Sequence, residues 1–179
     1  RSSEGAATVL EGFTITGGSG TVISAMTFGG GMYNSSSSPT VTDCIFVANS
    51  ASQDGGGMNN TNSSPVVTGC TFDMNSASWG GGMYNTKNSS PVITGCTFVS
   101  NNASSQCGGG MMNYYVTGNP IVKNCTFRSN TAGINGGGMY NDNSSNLTIT
   151  DCTFDNNAAN NSGGGMYNNN SILTITNCT

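Results

Sequence analysis

Apolar and polar residues alternate in this chain over short runs, and glycine, asparagine or proline interrupts them about every dozen residues. In the stretch LTITDCTF, Leu147 and Ile149 fall on one side of a two-residue period while Thr148 and Thr150 fall on the other. Asp151 breaks the alternation, and Cys152 and Phe154 resume it. Runs this short, built from Val, Ile, Thr, Phe and Tyr, predict strand, tight bend, strand, and they argue against helix.

The same pattern returns along the whole chain. Six cysteines, Cys44, Cys70, Cys96, Cys125, Cys152 and Cys178, mark copies of a unit of 25 to 29 residues. Three positions before each cysteine stands Val41, Val67, Ile93, Val122, Ile149 or Ile175. Two positions after the first five stands Phe46, Phe72, Phe98, Phe127 or Phe154, followed three residues on by Asn49, Asn75, Asn101, Asn130 or Asn157. The residue just before the cysteine is always Asp, Gly or Asn, the types that best tolerate a left-handed backbone or close a turn.

A second marker is GGGMYN, present verbatim at Gly29, Gly80, Gly136 and Gly163 and altered at Gly55 and Gly108. It predicts a third strand per unit, with Gly137, Met139 and Asn141 facing inward and Gly138 and Tyr140 outward. Asn34, Asn60, Asn85, Asn113, Asn141 and Asn168 recur two residues after the methionine. A buried amide must be satisfied, so these are expected to form a ladder in which each Asn bonds the same Asn of the next coil.

A fixed period of this length predicts a solenoid: an all-β parallel β-helix of about seven coils with three short strands per coil. Residues 1–179 read as one segment, with 1–28 a degenerate first coil and 29–179 regular coils, the last incomplete. In the first coil Gly12 takes the bend, Phe13 the cysteine position and Ile15 the phenylalanine position. Length varies only in two loops per coil, as stacked strands require. At about 4.8 Å per rung the stack is roughly 30 Å tall.

On these F-x-x-N and GGG-M-x-N columns the sequence resembles the right-handed parallel β-helix proteins of the pectin-lyase-like superfamily. It looks most like the repeats of polymorphic outer-membrane proteins and bacterial surface adhesins, although Gly-Met stands where Ala-Ile is commoner. The resemblance implies a passenger displayed outside the cell and often adhesive.

Composition narrows the chemistry. Charged residues make up 7% of the chain, and a net charge of −4 with four basic residues disfavours nucleic acid and anionic membrane surfaces. No run of about 18 apolar residues is present, so no membrane insertion is expected of this segment. Cysteines one coil apart, in a chain without histidine, do not follow zinc spacing. They are read as buried free thiols in preference to disulfides, while Cys107, outside the column, is the candidate for an intermolecular disulfide.

Eight carboxylates without an evident cluster give no catalytic, metal or cofactor residue to nominate. Two outward columns remain. Tyr33, Tyr84, Tyr140 and Tyr167, interrupted by Asn59 and Met112, form either a stiffening stack or a contact surface for sugar rings or a partner. Threonine pairs such as Thr40 and Thr42, or Thr174 and Thr176, resemble an ice-binding array but are mixed with Val66, Val92 and Ile121. Sequons such as that at Asn62 are expected by chance in so Asn- and Ser-rich a chain.

The expectation is a non-enzymatic extracellular or cell-surface stalk, adhesin passenger or fibre subunit. Its partners would be further copies end to end, the rest of a longer chain, or surface glycans. The alternatives are a carbohydrate-binding or carbohydrate-active β-helix and, less favoured, an ice-binding solenoid.

Overall fold

A left-handed corner ends nearly every strand, which is why the strands stay at two to four residues. In the computed structural model, which describes residues 8–144 and 146–179, the position before each cysteine takes φ of 50° to 63° from Asp43 through Asn177. Asp, Asn and Gly occupy it, the residues for which this conformation costs least. A second left-handed corner lies four residues after the cysteine, at Ala48, Met74, Ser100, Ser129 and Asn156. No common residue type marks that corner, and it is held instead by the next coil, as where the Ala48 amide donates to the Asp73 carbonyl at 3.0 Å.

The chain between corners stacks into parallel sheets that run the length of the molecule. The longest has seven strands: Val9–Glu11, Thr40–Thr42, Val66–Thr68, Val92–Thr94, Ile121–Lys123, Leu147–Thr150 and Leu173–Thr176. A second, of six strands, contains Thr71–Asp73, Thr97–Val99 and their equivalents. A third, also of six, contains Met83–Thr86, Met111–Tyr114 and theirs. Register places like on like, with Phe72 opposite Phe98, Ile93 opposite Val67, and Asn85 opposite Asn113. The result is an all-β solenoid of about six turns, close to the seven coils expected, with the three principal strands per coil that the columns predict.

A fourth ladder of two-residue strands, Ser76–Ala77, Asn102–Ala103, Thr131–Ala132 and Ala158–Ala159, adds to that expectation. It buries a column of alanines, Ala51, Ala77, Ala103 and Ala132. These stand two residues beyond the F-x-x-N asparagine in every copy, so the signal was present in the sequence.

The interior is filled by four side-chain columns: the Val/Ile column, the cysteines, the phenylalanines and the methionines. Phe46, Phe72, Phe98, Phe127 and Phe154 stack with ring centroids 4.7 to 4.9 Å apart and planes within 4° of parallel. Their spacing equals the rung spacing, so each ring meets the same ring above and below.

Three local expectations change. The glycine triplet is a corner, not part of a strand: its first glycine has φ of 59° to 73°, and strand pairing begins at the methionine. Consequently the third glycine, expected to face out, faces in. A Cβ on Gly82 would lie 3.0 Å from the Phe98 ring and 2.5 Å from the Gly110 carbonyl oxygen. The second glycine, expected inward, is pressed instead against the backbone of the neighbouring coil.

Phe13, placed at the cysteine position, remains 58% exposed, although its carbonyl accepts from the Ile45 amide as the register requires. The ring is too large for a column built on sulfur. The first coil also contains an antiparallel hairpin, Thr21–Ile23 with Met26–Phe28, whose two-residue turn places Ser24 and Ala25 at φ 50° and 65°. Ser-Ala lacks the Asn-Gly signature of such turns, which hid the hairpin from sequence reading.

Candidate functional site

The asparagine columns form two ladders of different completeness. In the F-x-x-N ladder, Asn101 Oδ1 accepts from both the backbone amide and the Nδ2 of Asn75 at 3.0 Å. Its Nδ2 donates to the Phe72 carbonyl at 2.8 Å and to Asn130 Oδ1 at 3.0 Å. The same four bonds recur at Asn75 and Asn130. In the ladder after the methionine, Asn34, Asn60, Asn85, Asn113, Asn141 and Asn168 are joined Nδ2 to Oδ1 at 2.7 to 2.9 Å, as the sequence predicts.

The cysteines are free thiols. Each S–H in the column faces a carbonyl of its own coil and one of the preceding coil. Cys70 Sγ, for example, lies 3.4 Å from the Thr68 oxygen and 3.5 Å from that of Val41. Two acceptors per sulfur suit the protonated form, and burial raises Cys44 above the ordinary thiol range. Cys107 is also buried, at 4% exposure, and burial raises it too. The expectation that it offers an accessible thiol for an intermolecular bond is therefore corrected.

The tyrosines point away from the helical core, yet they are not all displayed. Tyr84 and Tyr140 each keep only 7% of their surface, while Tyr33 and Tyr167 are half-buried. Tyr84 and Tyr140 join Cys107 and Met112 in a second, lateral cluster, with Trp79, Tyr114, Ile134 and Tyr167 packed against it. The rings of Tyr140 and Tyr167 stack at 5.5 Å, and burial pushes the Tyr140 phenol up to about 12. The loop before each glycine triplet folds back over this column. Gly80 shows how: at φ 60° its Cβ position lies 2.9 Å from Tyr84 Cβ, so the preceding residue is set beside the tyrosine.

That preceding residue forms its own column, including Phe28, Asp54 and Trp79, joined by backbone bridges. Asp54 is largely enclosed, and burial alone raises its carboxyl to about 7. Beside it in the tyrosine column stands Asn59, 1% exposed, whose Oδ1 accepts from Thr61 Oγ1 at 2.9 Å. Among the described residues, Asn59 Nδ2 is the buried side-chain polar atom with no hydrogen-bond partner. Sequence reading treated Asn59 only as an interruption of the tyrosine column. Its departure from that column was the available signal.

The threonine face is mixed, with Val66 and Ile121 exposed on it and Lys123 within it. Among the described residues, no three His, Cys, Asp or Glu side chains gather in a way that would hold a metal ion. Nor, among the described residues, is any helix long and apolar enough to cross a membrane.

No curated protein matches the chain. A family model for the right-handed β-helix region matches residues 3–136, three quarters of the sequence, and covers the first four complete glycine triplets and the first four F-x-x-N units, through Asn130. The left-handed corners, the like-on-like register and this match together place the chain in the right-handed parallel β-helix family.

Proposed function

We propose that this β-helix is a non-enzymatic structural module displayed outside the cell, serving as a stalk or adhesin passenger that carries contact residues on a rigid support. The continuity of its side-chain ladders supports this most directly. Phenylalanines and asparagines are each matched to the same residue one rung away, and each column thiol faces a carbonyl of the preceding rung, so the interior is committed to axial cohesion. Such a stack resists bending and extension without metal or disulfide staples, and it leaves loops and outward side chains free to vary.

Composition points the same way. Polarity carried by hydroxyls and amides, with 7% charged residues, suits a surface meeting glycans or other uncharged matrix material. Partners of this kind, the remainder of a longer chain, or further copies stacked end to end all use the same architecture.

The decisive experiment treats intact source cells with a protease and follows the loss of a β-helix-specific antibody signal. A displayed module loses its signal while a cytosolic marker survives. Full protection until lysis would overturn the reading. A companion assay compares adhesion of inert cells displaying the module with that of cells displaying a solenoid of unrelated surface.

A further inference from the structure

The seven-stranded sheet turns alternate side chains outward, and over its first five coils these form two files in unbroken register. One runs from Val9 through Thr40, Val66 and Val92 to Ile121, and the other from Glu11 through Thr42, Thr68 and Thr94 to Lys123. Among the described residues of its strands, Glu11 and Lys123 are the only charged ones. They stand in one file, four rungs apart at about 4.8 Å per rung, or about 19 Å, so they cannot meet within one chain. Val9, Val66 and Ile121, on the first, third and fifth coils, are all exposed.

These positions share one symmetry, centred on the third coil. A twofold axis lying against the sheet and along its third strand sends the first coil onto the fifth and the second onto the fourth, and it keeps each file opposite itself. Glu11 then faces Lys123 of a second copy, and Lys123 faces the second copy's Glu11. Val9 faces Ile121 in the same way, while Val66 and Thr68 each face their own equivalent.

The left-handed corner bordering the second file obeys the same relation. In coil order it holds Gly12, Asp43, Gly69, Gly95 and Asn124. The axis sets Asp43 against Gly95, Asn124 against Gly12, and Gly69 against itself, so every side chain on this rim meets a glycine. The backbone does not demand glycine there, since Asp43 and Asn124 hold the same conformation, and a Cβ on Gly12 or Gly95 would have nothing within 4 Å. A single exposed valine on a sheet needs no partner. Charged, apolar and small positions that all obey one axis point to one.

We infer that the first five coils of this sheet are a lateral contact surface for a second copy of the chain, the two solenoids lying side by side with their axes antiparallel. The footprint is small. Five rungs of about 4.8 Å by about 13 Å of strand and corner give about 300 Å² per copy, against about 800 Å² per partner in a standard stable complex. Pairing is therefore weak and reversible between free chains and strengthens where many copies are held close together. The contact is distinct from end-to-end stacking, and it does not depend on display outside the cell.

Sedimentation of the purified chain across a concentration series at low salt reads the association. The expected result is a reversible equilibrium that stops at two chains, as a twofold contact closes on itself. Glu11→Lys places Lys against Lys at both ends of the face, and Lys123→Glu places Glu against Glu, so each variant alone should pair at least about tenfold more weakly. An equimolar mixture of the two variants restores both opposite-charge pairs, and it should recover association to within about threefold of wild type. That recovery also shows that each variant is folded. Thr176→Lys, on the same sheet but outside the first five coils, should leave pairing unchanged.

A chain that stays monomeric at about 1 mM, the weak end of measurable association, would overturn the proposal. So would growth past two chains, single variants that pair like wild type, or a mixture that does no better than its components. Because pairing is read on purified chain, protease protection on intact cells would remove the display reading and leave this contact standing.

Discussion

Replacing Asn101 with alanine removes four hydrogen bonds at once from a fully enclosed position. The Asn75 amide N–H loses its acceptor, at a cost of about 1–3 kcal/mol for a buried orphan donor. Asn75 Nδ2, the Phe72 carbonyl and Asn130 Oδ1 each lose one bond, adding about 0.5–1.5 kcal/mol apiece. The sum is about 3–7 kcal/mol, concentrated between the third and fourth coils. Urea titration should show a lower midpoint, whereas Asn161→Ala, which removes an exposed Asn-to-Asn bond, should change stability by no more than about 0.5 kcal/mol. Amide hydrogen exchange localises the effect: the Asn75 amide should exchange about 5- to 150-fold faster, the equivalent of 1–3 kcal/mol. If Asn101→Ala and Asn161→Ala unfold alike, or if the Asn75 amide keeps its protection, the ladder is not what holds adjacent coils together.

Phe98→Ala should cost about 3–5 kcal/mol in urea titration, because the enclosed ring is stacked 4.7 Å from rings on both sides and its removal opens a cavity. Gly82→Ala should prevent ordered packing of that coil, since its Cβ would lie 2.5 Å from a backbone oxygen, while Gly95→Asn should melt within about 0.5 kcal/mol of wild type. Gly95 is also left-handed, at φ 63°, but has open space around it, and Asn124 already holds the equivalent corner. Asp54 titrates from a raised folded value of about 7, so its contribution to stability is full below the ordinary carboxylate range near 3.8 and is lost as pH rises towards 7. Asp54→Asn should flatten that decline between pH 4 and 7, read as melting temperature against pH. Of the seven thiols, half-exposed Cys178 should react first with a disulfide reagent in the native state, and Cys96 should react only on unfolding.

The repeat made the fold legible because parallel in-register stacking projects each interior column onto the sequence as one residue type at a fixed spacing. The Cys, Phe and Met columns, the Asn ladder after the methionine and the left-handed bend at Asp43 and its equivalents were all readable in this way. What escaped was set by contacts between unlike positions. The triplet glycines face a phenylalanine from the opposite wall and a carbonyl from the next coil, neither of which a strand alternation encodes. The loop that covers Tyr84 and Tyr140 comes from the variable part of each coil, so the burial of an outward column left no periodic trace. Asn59 was visible as an exception to its column, and only the surrounding structure shows that the exception leaves a donor unmet.

The corner at Ala48, Met74, Ser100, Ser129 and Asn156 carries one consequence for the origin of the molecule. Residues as different in size and turn preference as Ala, Met, Ser and Asn adopt the same unfavourable backbone because the adjoining turn of chain leaves them no other path. The conformation is copied from layer to layer much as a crystal face orders the next layer of molecules, and the residue itself need not specify it. Growth by tandem duplication is then inexpensive: a newly added unit inherits its geometry from the one beneath it and can drift at such corners without losing its shape. That freedom explains how a chain with so uniform an interior can carry, on a single pair of its turns, a local departure such as Asp54 with Asn59.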